Sequence, residues 1–193
     1  MAKIILVTHQ KGGVGKSTLT FNLAQNLSSC SKVAILDMDL QGSLLGINHI
    51  VNDFIITSDK SILKNSDLDF IFIDTPPYLS DKLSGLMVLS DLIIVPTKAG
   101  VLDLLAIEST ISIIDDNNKL GKTLIVLNMV KHNTSLTSDI LNELKSYKVK
   151  IANTQINDLV VFTRSVLLKG VESNHNAQKQ MDGLTKEVLK ALI

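Results

Sequence analysis

Five short runs of apolar residues constrain this chain more than any other feature: Ile4-Ile5-Leu6-Val7, Val33-Ala34-Ile35-Leu36, Phe70-Ile71-Phe72-Ile73, Leu92-Ile93-Ile94-Val95 and Leu124-Ile125-Val126-Leu127. Successive side chains of a strand point to opposite faces, so a strand with one wet face alternates polar and apolar residues. These runs do not alternate and therefore need cover on both faces. Between them lie stretches of helical period at 17–29, about 82–90, 102–115 and 136–146, with a last one near 176–192. Strand and helix in alternation predict a three-layer α/β/α architecture around a mostly parallel central sheet. With 193 residues, 45% of them hydrophobic, and no Pro/Gly/Ser-rich linker, one domain over 1–193 is expected. Residues 44–66 are the least readable, with a short strand at Phe54-Ile55-Ile56.

The first run leads directly into Lys11-Gly12-Gly13-Val14-Gly15-Lys16-Ser17-Thr18, and a helix starts at Ser17. Glycines let backbone N–H groups close on phosphate oxygens, and the helix start adds its positive end. Lys16 supplies a charge near the β and γ phosphates, and Ser17 is placed to ligate Mg²⁺. Strand, loop, lysine, hydroxyl and helix together specify a P-loop nucleotide site. The common pattern has a glycine five residues before Gly15, where this chain has Gln10, followed by the additional Lys11.

Acidic residues follow two other strands. After Val33 to Leu36 comes Asp37-Met38-Asp39-Leu40-Gln41-Gly42, where an extended chain puts Asp37 and Asp39 on one face. Two carboxylates at one site can serve a metal shell and a positioned water. Phe70-Ile71-Phe72-Ile73-Asp74 has the form of a strand whose terminal aspartate holds Mg²⁺ through water, and it continues as Thr75-Pro76-Pro77.

The loop Lys11 to Thr18 resembles the deviant P-loop of the ParA/MinD family. The Asp37-to-Gln41 segment is similar to that family's Asp-x-Asp-Pro-Gln stretch, with Leu40 in place of proline, and Thr75-Pro76 to its γ-phosphate-sensing turn. Ser90 to Pro96, Leu102-Asp103-Leu104, Thr163 to Gly170 and Leu184 to Glu187 resemble later segments in the right order, nearest to the short ParF-like partition proteins. The resemblance implies that Lys11 reaches the ATP of a partner subunit, that Asp39 positions the attacking water, and that Asp37 supports the metal shell with Ser17 and Asp74. It implies a weak ATPase that forms a homodimer on ATP, binds duplex DNA nonspecifically, and is stimulated by a ParB-like centromere-binding partner in a cytoplasmic, nucleoid-associated setting. With the first strand beginning at residue 3, no helix-turn-helix extension or autorepressor role is expected. For the adenine the best candidate is Asn128, with 154–158 as a second region; His9, where relatives have asparagine, reads as a structural loop residue.

Charge narrows the classes. Lysine plus arginine number 19 and aspartate plus glutamate 19, so no global field draws the chain to nucleic acid or lipid. Arg164 is the only arginine, which leaves few forks for reading bases. The local DNA candidates are Lys119, Lys122, Lys131, Lys145, Lys148 and Lys150, set against Asp115, Asp116, Asp139 and Glu143. Four alternatives compete. A MinD-like ATPase would bind membrane through Val188, Leu189, Leu192 and Ile193, although a final helix packed on the sheet needs the same stripe. A metabolic ligase could use the same scaffold. An iron–sulfur relative would need more than the lone Cys30, and a tyrosine kinase more than Tyr78 and Tyr147. The scattered His49, His132 and His175 suggest no metal site. No signal peptide or membrane-spanning run is expected.

Overall fold

The computed structural model describes residues 1–39, 44–78, 80–131 and 135–193. Its strands are β1 (Lys3–Val7), β2 (Val33–Asp37), β3 (Ile55–Thr57), β4 (Phe70–Asp74), β5 (Leu92–Thr97), β6 (Thr123–Leu127) and β7 (Lys150–Ile151). They form one sheet in the order β3-β2-β4-β1-β5-β6-β7. Every neighbouring pair is parallel, so the expected mostly parallel sheet is parallel throughout. β1 lies in the middle; the chain passes to β2 and β3 on one side, returns to β4 beside β1, and then runs outward through β5, β6 and β7 on the other. Such a reversal of strand order opens a crevice at the carboxyl ends of the central strands.

The helices are α1 (Lys16–Ser28), α2 (Ser80–Leu89), α3 (Val101–Asp116), α4 (Ser135–Leu144), α5 (Val160–Arg164) and α6 (His175–Ala191). The absence of alternation in the strands now has its cause. Ile5, Val7, Ile35, Phe72 and Ile94 face one way and pack with Leu23 and Leu27 of α1 and with Met181, Leu184 and Val188 of α6. Leu6, Leu36, Ile73, Ile93 and Val95 face the other way, against Leu83 and Met87 of α2, Ile107 and Ile111 of α3, and Leu144 of α4. Each such side chain contributes about 1.5–3 kcal/mol on leaving water. A charge at Leu6 or Val7 would therefore unseat the strand that carries the phosphate loop.

The stripe on α6 that also fitted membrane binding is used internally. Leu184 and Val188 are fully buried, and Leu189 and Leu192 pack against the same cluster, leaving Ile193 exposed. Asn174 caps this helix by accepting from the Ala177 N–H at 3.1 Å. Among the described residues no helix is long and apolar enough to cross a membrane. In the poorly readable 44–66 region, the strand sits one residue later than expected, between 3-10 turns at Leu45–Ile50 and Lys60–Lys64. Both β7 and α5 went unforeseen, because two and five residues are too few to show a period.

Candidate nucleotide-binding site

The phosphate loop leaves β1 at its buried carboxyl end and turns on two glycines. Gly13 and Gly15 have φ of 69° and 88°, the left-handed region that side chains disfavour. Space makes the same demand at Gly15, where a Cβ would collide with Asn128 Nδ2 and lie 3.2 Å from Met129 Cε. Gly15 is also the N-cap of α1, which has no side-chain cap bond and no acidic residue in its first turn. The first amides of α1 and its positive end are thus left for an anion. Val14 is fully buried, Gly12 and Gly13 are exposed, and Ser17 and Thr18 are half-buried. Lys16, 7% exposed, curls back so that its Nζ donates to the Lys11 carbonyl at 3.2 Å. Burial holds this ammonium below its ordinary pKa, against the opposing pull of Asp74 and Asp39.

The carboxylates gather under the loop because their strands are neighbours. Asp37 and Asp74 are register partners across β2 and β4, and Val7 of β1 pairs with Asp74 on its other side. Asp74 is completely buried, and its Oδ2 has no hydrogen-bond partner among the described residues. Burial pushes its pKa up to about 7; the Ser17 hydroxyl bond and Lys16 pull it down, while Asp37 and Asp39 add to the rise. A buried carboxylate with one unused oxygen, whose other oxygen accepts from the Thr20 hydroxyl of α1 at 3.5 Å, fits a hard divalent cation. Among the described residues no three His, Cys, Asp or Glu side chains converge into a metal cage. A cation here would be completed by phosphate oxygens and water, as Mg²⁺ commonly is.

Asp37 has a more specific use than its spacing suggested. One oxygen accepts from the Asp39 N–H at 3.0 Å, and the other from Leu44 and Leu45 N–H at 3.1 and 3.0 Å. Asp39 is half-buried, and its charge acts on both Lys16 and Asp74. Leu40, Gln41 and Gly42 of the resembling stretch lie outside the described residues, as does His132. Thr75 donates to the Val7 carbonyl at 3.0 Å, and Pro77 lies 3.9 Å from a Cβ built on Gly12, so the Thr-Pro turn rests against the phosphate loop.

Lys11 and His9 form the entrance of the loop. The Lys11 ammonium lies 2.6 Å from Asp103 Oδ1 of α3, and its N–H donates to His9 Nδ1 at 2.8 Å. His9 is fully buried, and burial, assisted by Lys16 and Lys11 and opposed by Asp103, lowers its pKa to about 4. It is a neutral imidazole whose Nδ1 accepts, consistent with a structural place in the loop.

Beside the start of α1 opens a cavity lined by Thr18, Asn22 and Asn128 on one side and by Asp158, Leu159 and Phe162 on the other. Asn128 does reach it, but its Nδ2 donates to the Val14 carbonyl at 2.8 Å and so braces the phosphate loop. The second expected region, 154–158, contributes Ile156, Asn157 and Asp158 to the wall. Met129, Leu159, Phe162 and Thr163 were missed. They arrive because Val130 and Asn157 form an isolated bridge that folds the segment after β7 over the end of β6, and no local pattern announces this.

The lysine candidates divide between the two ends of the sheet. Lys122 precedes β6, while Lys145, Lys148 and Lys150 lead into or begin β7, which puts these exposed residues at the strands' amino ends. Lys131 follows β6 at the opposite end. Lys119 is engaged with the carbonyls of Val88 and Ser90 at 3.0 and 3.4 Å. The side chain of Asp139 lies outside the description.

Comparison with known proteins agrees with this geometry. The model of the CobQ/CobB/MinD/ParA nucleotide binding domain matches residues 5–167. The maintenance of carboxysome distribution protein A of Halothiobacillus neapolitanus is 26% identical over 183 residues, covering 86% of this chain and 84% of the relative. Among solved structures, a Borrelia burgdorferi B31 protein assigned to plasmid partition and bound to AMPPNP superposes with a TM-score of 0.81 at 22% identity, covering all of both chains. A chain of the MinC:MinD cell division complex of Aquifex aeolicus also gives 0.81, at 16% identity, over 98% of this chain and 96% of that one. At these identities the superpositions establish the shared fold. Since the family model spans the phosphate loop, both acidic strand ends and the cavity wall, this chain belongs to the CobQ/CobB/MinD/ParA nucleotide-binding domain family.

Proposed function

We propose that this protein, acting as one domain, is an ATP-operated positioning switch of the ParA/MinD kind. It binds ATP with Mg²⁺, pairs with a second copy in that state, and holds duplex DNA without sequence preference. It lets go after a hydrolysis that a ParB-like partner accelerates, in the cytoplasm and on the nucleoid. The observation that carries the reading is the buried Asp74, with one unpartnered oxygen, beside the Ser17 hydroxyl and Lys16 at the floor of the glycine loop. The AMPPNP bound to the Borrelia protein and the carboxysome distribution named for the Halothiobacillus relative support the nucleotide and the positioning role.

The residues divide the task. Backbone amides from Gly12 to Thr18 and the start of α1 bind the phosphates, and Lys16 neutralises the β and γ groups. Ser17 would hold Mg²⁺ directly, with Asp74 and Asp37 orienting its waters; bound there, the cation supplies charge neutralisation on the transferring phosphate. Asp39 positions the attacking water, and Lys11 contacts the partner's nucleotide. The Asn128 cavity takes the adenine. A switch needs a long-lived ATP state, so turnover is slow until stimulated.

Sedimentation with ATP, ADP and no nucleotide tests the dimer, and filter binding of random duplexes over a range of salt tests the DNA step. The expected result is a dimer and DNA retention with ATP alone, with affinity falling steeply with salt. DNA affinity that ignores nucleotide defeats the gating, and none at all defeats the DNA step.

A further inference from the structure

The segment that leaves β7 is held by one face of α6. Ala152 N–H still pairs with the Ile125 carbonyl at 2.8 Å, and Ile156 N–H returns to β6 at the Leu127 carbonyl at 2.9 Å. Between these two points the amides go to Glu187 of α6 instead: Asn153 N–H donates to Oε2 and Thr154 N–H to Oε1, each at 2.8 Å. The Asn153 side-chain amide adds a longer bond to Oε2 at 3.4 Å. Burial works to raise the pKa of Glu187, but the bonds from Thr154 and Asn153 outweigh it and hold the carboxyl below its ordinary value. Two more residues of α6 complete the grip. Gln180 Oε1 accepts from the Asn157 N–H at 2.9 Å, and a Cβ on Gly183 would lie 2.8 Å from Thr154 Oγ1, so the helix can approach this closely only with glycine there. Gln180, Gly183 and Glu187 recur at the spacing of one helix face. Of the three, the carboxylate makes the strongest contacts, because bonds from N–H groups to a charged acceptor exceed neutral ones.

We propose that Glu187 is a positioning residue for the base of the nucleotide: by holding the Asn153 and Thr154 amides it fixes the segment that sends Ile156, Asn157 and Asp158 to the cavity wall, and so sets the affinity for a ring it does not touch. The inference rests on the reading that the Asn128 cavity takes the adenine, and adds what keeps the far wall in place. Glu187 is not among the residues lining that cavity, so its influence reaches the base through this segment. A wall already held in its binding shape spares the ordering that binding would otherwise cost. The phosphate loop draws on none of these contacts, and the base half of the ligand alone should respond.

Calorimetric titration with ATP and with inorganic tripolyphosphate tests it. Glu187→Ala should weaken ATP about fivefold, the scale of one lost charge-assisted bond, and leave tripolyphosphate unchanged. Glu187→Gln keeps the shape and one acceptor oxygen; it stands in should the alanine variant fail to fold, and should weaken ATP about twofold with the same selectivity. That selectivity separates positioning from a merely structural role, since general loosening would weaken both ligands together. Equal weakening of ATP and tripolyphosphate, or unchanged ATP affinity in a folded Glu187→Ala protein, overturns the inference. Leu159→Ala, on the wall itself, distinguishes the two levels of failure. If it weakens ATP selectively while Glu187→Ala does not, the positioning role alone falls; if neither substitution separates the two ligands, the cavity does not take the base and both readings fall.

Discussion

The phosphate side and the proposed base side of the candidate site are built in opposite ways. The phosphate side comes from consecutive residues, and each position is justified by its neighbours: left-handed Gly13 and Gly15, buried Lys16, then Ser17 at the helix start. The base side is assembled from the ends of two strands. Asn128 and Met129 follow β6, Ile156 to Thr163 follow β7, and Val130 N–H joins them through the Ile156 carbonyl at 2.9 Å. The difference teaches that recognition of charge can be written locally, because amide directions follow from local backbone angles. A slot for a flat ring needs walls that close from separate segments, and many apolar residues will serve.

Substitutions can break or sharpen that contrast. The largest effect is expected from Asp39→Ala on the phosphate side, where loss of a positioned carboxylate should slow partner-stimulated ATP turnover about 100-fold or more. ATP affinity should hold in that variant, leaving a persistent dimer; turnover at the wild-type rate would remove the water-positioning role. Next comes Lys16→Ala, which removes a charge-assisted contact and should weaken ATP and inorganic tripolyphosphate alike by about 10- to 100-fold in calorimetry. Leu159→Ala on the base side should cost ATP about fivefold, the value of one or two buried methylenes, and leave tripolyphosphate untouched. If Leu159→Ala weakened both ligands equally, the two sides would not be separable. The smallest effect is a pH slope from His9. Its pKa falls from the ordinary 6.5 to about 4 in the fold, so its contribution to stability is complete above about pH 6.5 and is lost as pH falls toward 4. Urea denaturation of wild type and His9→Asn at stepped pH checks it: the wild type should lose more stability over that window.

Legibility followed the same division. The five apolar runs became strands because covered strands cannot alternate, and the principal helices fell within a residue or two of their periods. Asp74 was readable as a strand-terminal acid, and its burial as a consequence of sitting between β1 and β2. The bond from Asp37 to the Leu44 and Leu45 amides was not readable, because spacing reports direction and not which donor arrives. Asp103 was noticed only as part of a resembling segment, since its partner Lys11 lies 92 positions away. The lysine patch shows the converse limit. Counting charges grouped six lysines, yet the parallel strands send Lys122 and Lys131 to opposite ends of the sheet.

The central place of β1 also has a consequence in time. Of the seven strands of the sheet it is made first, yet both its neighbours are made long afterwards: Lys3 pairs with Phe70, and the Ile4 N–H donates to Asp91 Oδ2, 87 positions later. At about 5–20 residues per second, the phosphate loop waits on the order of 5–20 s with its apolar strand unpaired. Contacts so distant in sequence also close slowly, because loop-closure entropy must be overcome before they form. The segment that carries the chemistry is therefore made well before either strand that flanks it, and for that interval Ile4 to Val7 is an apolar stretch open to misassociation.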